Sequence, residues 1–167
     1  MGYPMKISNM EFQFVSLLVA ERDSYGHIIE YLPATRYNNT KHYPLNAWGE
    51  GPFCHFRLEP KSWEVLGAYA ITDESDKVLY LGKCTGRTST LAKRFNNGYG
   101  SIQPRNCYKG GQSTNCRINH LVLGKNKSGN KLRLFFHETN NGQEAGDLEG
   151  NLIRQIGKPP WNINEPW

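Results

Sequence analysis

Two tyrosines, each near the centre of a short apolar segment, are the side chains best suited to chemistry. The segments contain Gly67-Ala68-Tyr69 and Tyr80-Leu81-Gly82, and a polar turn separates them. A phenol can transfer a proton and hold an oxygen atom in place, and nearby cations favour its ionised form. Two phenols on neighbouring strands, in a strongly basic region, indicate a site that could cut phosphodiester bonds. Tyrosine is also common in strands without any catalytic role, and for the pair alone that interpretation is favoured.

Phosphodiester hydrolysis also needs an aimed water, neutralised phosphate charge and a stabilised leaving oxygen. Glu149 follows Leu148 at the edge of an apolar helical face, where one carboxylate can hold a Mg²⁺ that keeps most of its waters. From its position alone, a solvated helix glutamate is the favoured interpretation. Arg94 could clamp the scissile phosphate through its forked guanidinium, or could be an ordinary surface arginine. Lys83 and Arg87 directly follow the second tyrosine segment and could share that role.

The basic residues are unevenly distributed along the 167-residue chain. Residues 77–137 contain twelve Lys or Arg and no Asp or Glu, within a net charge of +5. A soluble surface usually mixes both signs, so this block favours a polyanionic partner such as nucleic acid. Apolar content of 38% argues against disorder, and no apolar run approaches the length of a membrane helix. We expect a cytoplasmic protein with reduced thiols.

The patterns predict a small mixed domain of the α+β class. Ser8 to Glu11 resembles a capping box and predicts a helix ending near Arg22. Residues 33–52 are expected to form a long arm, which could touch DNA or simply cover the sheet, through Tyr37, Asn38, Asn39, Lys41 and His42. Residues 53–58 predict a short strand. Residues 65–71 and 77–82 predict a hairpin.

The second half alternates short elements with a basic insertion. Ser89 or Thr88 is expected to cap a short helix through Phe95. Residues 96–117 are predicted to be a polar loop in which Tyr99 and Tyr108 interleave with cations, as suits phosphate contact and base stacking. Residues 121–123 and 132–136 predict another hairpin, and 142–156 a final helix stopped by Gly157. The expected whole is a single domain, 1–167, with an N-terminal helix and arm over 1–64. Its central sheet is mainly antiparallel, with about three strands flanked by helices.

In combination, these segments resemble the GIY-YIG nuclease superfamily. The matching pieces span residues 65–162: Gly67-Ala68-Tyr69, Tyr80-Leu81-Gly82-Lys83, Leu91 to Phe95, Glu149 with Leu152-Ile153, and Trp161-Asn162. The segment from Gly82 to Arg94 is similar to the restriction-enzyme branch. Ala68 stands where the family usually has isoleucine. Gly98 stands where it often has histidine or tyrosine, and Tyr99, Tyr108 or His120 could substitute.

The resemblance implies a role for each matching residue. Tyr69 would be the general base or would position the water, with Tyr80 in support. Arg94, helped by Lys83, would bind the scissile phosphate, and Glu149 would hold Mg²⁺, which Mn²⁺ could replace. Asn162 would be a secondary structural or active-site contact. DNA contacts are expected from Arg87, Arg105, Asn106, Lys109, Gln112 and Arg117.

The first functional hypothesis is therefore a Type II restriction-like endonuclease acting on double-stranded DNA. A palindromic site would call for a symmetric homodimer. The alternatives are a repair or mobile-element nuclease, and a basic DNA-binding module without catalysis. Cys107, Cys116 and His120 could supply three zinc ligands, but the spacing lacks a CxxC pair, so unlinked cysteines are favoured.

Overall fold

A computed structural model describes residues 2–36, 43–58 and 63–163 of the chain. Seven strands and three α-helices occur in this part, together with shorter 3₁₀ segments at Pro33–Arg36 and Pro104–Cys107 and a π-helical turn at Phe95–Tyr99. The strands are β1 (Met5–Ile7), β2 (Met10–Leu17), β3 (Glu30–Tyr31), β4 (Phe53–Cys54), β5 (Gly67–Thr72), β6 (Val78–Cys84) and β7 (Arg133–Glu138). The helices are α1 (Leu91–Arg94), α2 (Ser113–Lys127) and α3 (Gly142–Ile156).

The chain forms two compact units, each assembled from separate stretches of sequence. Among the described residues, the first unit comprises 2–18, 58, 63–94 and 130–163, and the second comprises 19–36, 43–57 and 95–129. The predicted single domain, 1–167, remains a prediction. The α+β class is confirmed, since helices accompany a mainly antiparallel sheet.

The first unit is built on a five-stranded sheet in the order β1-β2-β7-β5-β6, wider than the predicted three strands. Every pairing in it is antiparallel. Helix α3 covers one face, where small Ala68 and Ala70 of β5 meet Leu81, Phe135 and Leu152. The hairpin predicted over 65–82 and the final helix are both confirmed. On α3, Leu152 is buried, Leu148 and Ile153 pack against the core, and Ile156 is exposed.

The predicted N-terminal helix is wrong, because Met10–Leu17 forms strand β2. Ser8 and Asn9 both have positive φ (47° and 71°) and make the tight turn between β1 and β2. Phe12 is buried between exposed Glu11 and Gln13, so this segment follows the two-residue period of a strand. The capping-box pattern therefore occurs in a hairpin turn.

The second unit contains the two-stranded β3-β4 ribbon and helix α2. The predicted strand at 121–123 is wrong, because these residues lie within α2, where Val122 and Leu123 are buried. A short apolar triplet does not by itself distinguish helix from strand. The predicted polar loop at 96–117 is also largely helical.

Buried Asn119 organises the interior of the second unit. Its amide nitrogen donates to the carbonyl oxygens of Cys54 and Tyr99, at 2.7 Å each, and its oxygen accepts from the Cys54 N–H at 2.9 Å. The predicted strand at 53–58 is shorter than expected, Phe53–Cys54. The aromatic and polar residues suggested for DNA contact at positions 37–42 lie outside the described residues. In the described part of the chain, none of the helices has both the length and the apolar surface to cross a membrane.

Candidate functional site

The two sequence-predicted tyrosines lie on the same face of the β5-β6 hairpin. Tyr69 is paired in register with Gly82, and Tyr80 is paired with Ile71 two positions away. The two phenol rings have centroids 6.1 Å apart and are tilted by 39°. On the third strand, Phe136 of β7 lies opposite Tyr69. The sheet register thus brings the tyrosines together as the sequence predicted.

Glycine at position 82 is required by the ring of Tyr69. A Cβ atom at this position would lie 2.2 Å from Cζ of Tyr69 and 2.3 Å from its Oη. The ring therefore crosses directly over β6, with its hydroxyl above the residue that precedes Lys83. Tyr69 is fully buried and Tyr80 is 7% exposed, so neither ring has an open surface.

Lys83 and Glu149 meet on the opposite face, which α3 covers. Lys83 is paired in register with Ala68, which belongs to the core beneath α3. Its Nζ lies 3.9 Å from Oε1 of Glu149. The Lys83 side chain also passes Gly146, where an added Cβ would be 3.8 Å from Nζ. The lysine is half exposed and the glutamate is 20% exposed, so the pair lies at the edge of the core.

The carboxyl group of Glu149 is held in a partly dry, cationic environment. Burial raises its pKa, while the charges of Lys83 and then Arg94 act to lower it. Arg94 also acts electrostatically on Cys84, whose pKa burial raises to about 12. These interactions place the arginine near both the end of β6 and α3. Lys83, Arg94 and Glu149 therefore converge, from three separate elements of the first unit.

Backbone contacts fix α1 and thereby Arg94. Thr90 caps the helix, not the predicted Ser89 or Thr88: its carbonyl accepts from Arg94 N–H at 2.8 Å, and its hydroxyl lies 3.5 Å from Lys93 N. The N–H groups of Leu91 and Ala92, directly after Thr90, donate to the carbonyl oxygens of residues 65 and 63. The free N–H groups of a first helical turn normally require such partners.

The beginning of α3 is held equally closely against the end of β6. A Cβ on Gly142 would lie 2.1 Å from the carbonyl oxygen of Thr85, so only glycine permits this approach. The side chain of Asn141 caps the helix by accepting from Glu144 N–H at 2.9 Å. The carboxylate of Glu144 accepts from the N–H of Asn140, the residue before the cap. This reciprocal capping sets the rotation of α3 and hence the position of Glu149.

Asn162 has a structural contact of its own. Its Oδ1 accepts from Leu81 N–H at 2.9 Å and its Nδ2 donates to Leu81 O at 2.8 Å. Trp161 N–H donates to Leu79 O in the same manner. Because β6 is an edge strand, these bonds satisfy backbone groups that the sheet leaves open. Of the two roles expected for Asn162, the structural one is visible.

The metal chemistry open to this site rests on one carboxylate. Mg²⁺ is commonly bound through one or two carboxylates, its own waters and substrate phosphates, and half-buried Glu149 fits that donor set. Among the described residues, no group of three or more His, Cys, Asp or Glu side chains is arranged to hold a metal. Cys107, Cys116 and His120, considered as zinc ligands, do not form such a group. The Cys107 and Cys116 thiols donate to the carbonyl oxygens of Gln103 and Asn106, and His120 Nδ1 donates to Pro52 O at 2.9 Å.

The residues expected to contact DNA divide into two groups. Four of them have exposed side chains: Arg87, Arg105, Lys109 and Gln112. Asn106 and Arg117 are buried, 7% and 3% exposed, and would have to change conformation to reach DNA. The Asn106 side chain accepts from Gln103 N–H at 2.8 Å, as part of a turn. Arg87 belongs to the first unit and the other five belong to the second.

The residues suggested as replacements at the Gly98 position all belong to the second unit. Tyr99 is buried with an edge-to-face contact to Phe95. The Tyr108 hydroxyl donates to Ala34 O at 3.0 Å. Both rings therefore have packing or hydrogen-bonding functions.

Comparison with models of known protein families, with curated proteins and with solved structures found no match.

Proposed function

We propose that this chain is a Mg²⁺-dependent endonuclease that hydrolyses phosphodiester bonds in double-stranded DNA, acting site-specifically in the manner of a Type II restriction enzyme. The observation that carries the proposal is the convergence of Lys83, Arg94 and Glu149 at the end of β6. A lone half-buried carboxylate between two cations suits a metal ion together with an anionic phosphate. On the other face of the same sheet, the Tyr69 hydroxyl lies over Gly82 and is the proposed proton-transfer group.

Each residue then has one function in the reaction. Glu149 holds Mg²⁺ or Mn²⁺, which when bound supplies charge stabilisation to the phosphate oxygens. Arg94 forks onto the scissile phosphate and Lys83 adds a second positive charge. Tyr69 positions the attacking water or, as the phenolate, accepts its proton and becomes the neutral phenol, and Tyr80 supports the ring of Tyr69 by packing against it. Because Tyr69 is fully buried and lies on the face of the sheet opposite Lys83 and Glu149, this role requires the DNA complex to rearrange the site and open a path to its hydroxyl.

The proposed partner is double-stranded DNA, in agreement with the carboxylate-free block over 77–137. A homodimer is proposed because a palindromic site is matched by a two-fold axis in the protein. The proposed compartment is the cytoplasm, where the buried thiols of Cys54, Cys84, Cys107 and Cys116 would stay reduced.

Plasmid cleavage in Mg²⁺ tests the proposal. Wild-type protein should give discrete fragments, and Tyr69→Phe, Arg94→Ala and Glu149→Gln should each reduce the rate by about a hundredfold or more. Two variants are matched controls: Asp147→Asn, at an exposed position of α3, and Tyr25→Phe, at an exposed turn. Both should cleave the plasmid at the wild-type rate. Undiminished cutting by the three site variants would refute the assignment.

Other outcomes would favour the rival functions. Nicking that follows branched structure instead of sequence would indicate a repair or mobile-element nuclease. Salt-sensitive DNA binding without cleavage in Mg²⁺ or Mn²⁺ would indicate a binding module.

A further inference from the structure

A second cationic feature of the first unit is an open groove with a volume of about 430 Å³. Its walls come from β1 and the turn after it, from the start of β6, and from residues 156–160 after α3. Three lysines line it: Lys6, Lys77 and Lys158. These residues are far apart in sequence: Lys77 begins the basic block of residues 77–137, whereas Lys6 and Lys158 lie outside it.

The walls of this groove are held in place by hydrogen bonds. The Ser8 hydroxyl bonds to the side chain of Gln155, which joins the β1-β2 turn to the end of α3. The carboxylate of Asp73 accepts from Lys77 N–H at 3.0 Å and so fixes the turn before β6. The bond from Trp161 N–H to β6 anchors the segment that carries the third lysine. A ligand would therefore meet cations whose backbone positions are already set.

The charge of the groove is strongly positive. All three lysines are exposed, and among the described residues no carboxylate lies within 4.0 Å of their ammonium groups. The acidic residue of the lining, Asp76, is already paired with Arg133 at 2.5 Å. Concave surfaces lined by one sign of charge attract counter-ions of the opposite sign.

The groove and the candidate site lie on the same helix. Ile156, in the groove lining, follows Glu149 by seven residues, or about 10 Å along the axis of α3. For a duplex whose axis runs parallel to α3, the strands advance about 3.4 Å per phosphate, so this separation corresponds to about three nucleotides.

We infer that this lysine groove binds the phosphodiester backbone of the DNA substrate, about three nucleotides to one side of the scissile phosphate. The inference rests on the proposed function and adds a backbone contact that orients the duplex on the first unit. It assigns no base recognition to the groove, because lysines that contact phosphates position DNA without reading its sequence.

Salt dependence of binding tests the inference. Binding of a duplex oligonucleotide is measured by fluorescence anisotropy between 50 and 200 mM salt, with Ca²⁺ replacing Mg²⁺ to prevent cleavage. Loss of three phosphate contacts in Lys6→Gln/Lys77→Gln/Lys158→Gln should reduce the slope of log K against log salt by about 2.7. The ratio of the binding constant at 50 mM salt to that at 200 mM salt then falls by about 40-fold. The corresponding triple arginine variant should keep the wild-type slope.

The control removes the same charge elsewhere on the surface. Arg22, Arg57 and Arg154 are exposed and lie outside both the groove and the basic block, so their triple Gln variant should change the slope much less. Thermal unfolding of each variant shows that the fold is retained. Equal slope changes in the two triple variants would overturn the inference.

Neutral methylphosphonate substitutions then locate the contact. One phosphate at a time is replaced along the oligonucleotide, and a substitution two to four nucleotides from the cut should weaken wild-type binding. The same substitution should leave binding by the groove variant unchanged. If no position behaves in this way the groove contact is refuted, even if wild-type protein cleaves DNA. A protein that binds through the groove but never cleaves would instead refute the proposed function alone.

Discussion

Substitution of Gly82 by alanine should disturb the candidate site through Tyr69. The new Cβ would lie 2.2 Å from Cζ of the buried ring and 2.6 Å from Cε2, well below van der Waals contact. The backbone at Gly82 does not have a positive φ, so alanine meets no conformational barrier, and the penalty comes from the collision. Overpacking of this kind costs about 1–3 kcal/mol, and each kcal/mol lowers the Tm of a chain of this size by about 2–4 °C.

The displacement of the Tyr69 ring should lower the rate of DNA cleavage by a larger factor than the loss of folding stability alone would produce. A shift of about 1 Å in a catalytic group can lower a rate by about a hundredfold. Calorimetry and a plasmid cleavage assay of Gly82→Ala measure the two effects. Gly150→Ala is the matched control, because its Cβ would have only an ordinary contact 3.5 Å from Arg154, and helical glycine to alanine is favourable.

A double-mutant cycle separates the collision from any other effect of alanine. In a Tyr69→Ala background the ring is absent, so Gly82→Ala should become neutral or stabilising. The expected coupling energy is about 1–3 kcal/mol. If Gly82→Ala is equally costly in both backgrounds, or harmless in both, the placement of the Tyr69 ring over Gly82 is refuted.

Substitutions at three further positions test other parts of the structure. Asn162→Ala removes two hydrogen bonds to Leu81 and should cost about 1–3 kcal/mol in urea unfolding. Asn162→Asp keeps the acceptor but sets a carboxylate oxygen against the Leu81 carbonyl oxygen, so it should cost at least as much; a negligible loss from either substitution would contradict the paired bonds. Asn119→Ala leaves three buried backbone groups unpaired and should cost about 2–5 kcal/mol in the same assay; a loss below 1 kcal/mol would be inconsistent with that network. Lys83→Gln removes a charge that lowers the pKa of Glu149, so the pKa of the carboxyl should rise. Protons compete with Mg²⁺ for the carboxylate, so the acid limb of the cleavage-pH profile should move to higher pH; movement to lower pH would contradict this electrostatic arrangement.

The parts of the fold that the sequence predicted are those with strong local signals. The β5-β6 hairpin has apolar segments on either side of a turn-forming stretch, and the turn is closed by Asp73 bonding to backbone N–H groups. Helix α3 has a clear apolar stripe and ends at Gly157, whose φ of 85° requires glycine. Such elements are specified within a few residues of sequence.

Other elements depended on long-range pairing. Strand β2 is stabilised between β1 and β7, and β7 is more than a hundred residues away in the chain. The buried side of α2 includes the polar residues Asn115, Arg117 and Asn119, so the apolar residues of this helix do not show a clear helical period. Polar residues buried by tertiary hydrogen bonds do not look like core residues in a sequence.

The candidate site shows the same division. The meeting of Tyr69 with Tyr80 followed from the hairpin register. The approach of Glu149 to Lys83 depends on the contact between Gly142 and Thr85 and on the Asn141 cap, which no local pattern links to β6. The lysine groove escaped prediction because its three segments come together only in the folded chain.

End sequencing of DNA digested by wild-type protein and by Glu149→Gln tests the proposed nuclease most directly. With Mg²⁺, wild-type protein should produce fragments whose ends all share one short sequence and one cut position, and the Glu149→Gln variant should produce none above background. Identical ends from both proteins, or no cleavage by wild-type protein in either Mg²⁺ or Mn²⁺, would contradict the proposal.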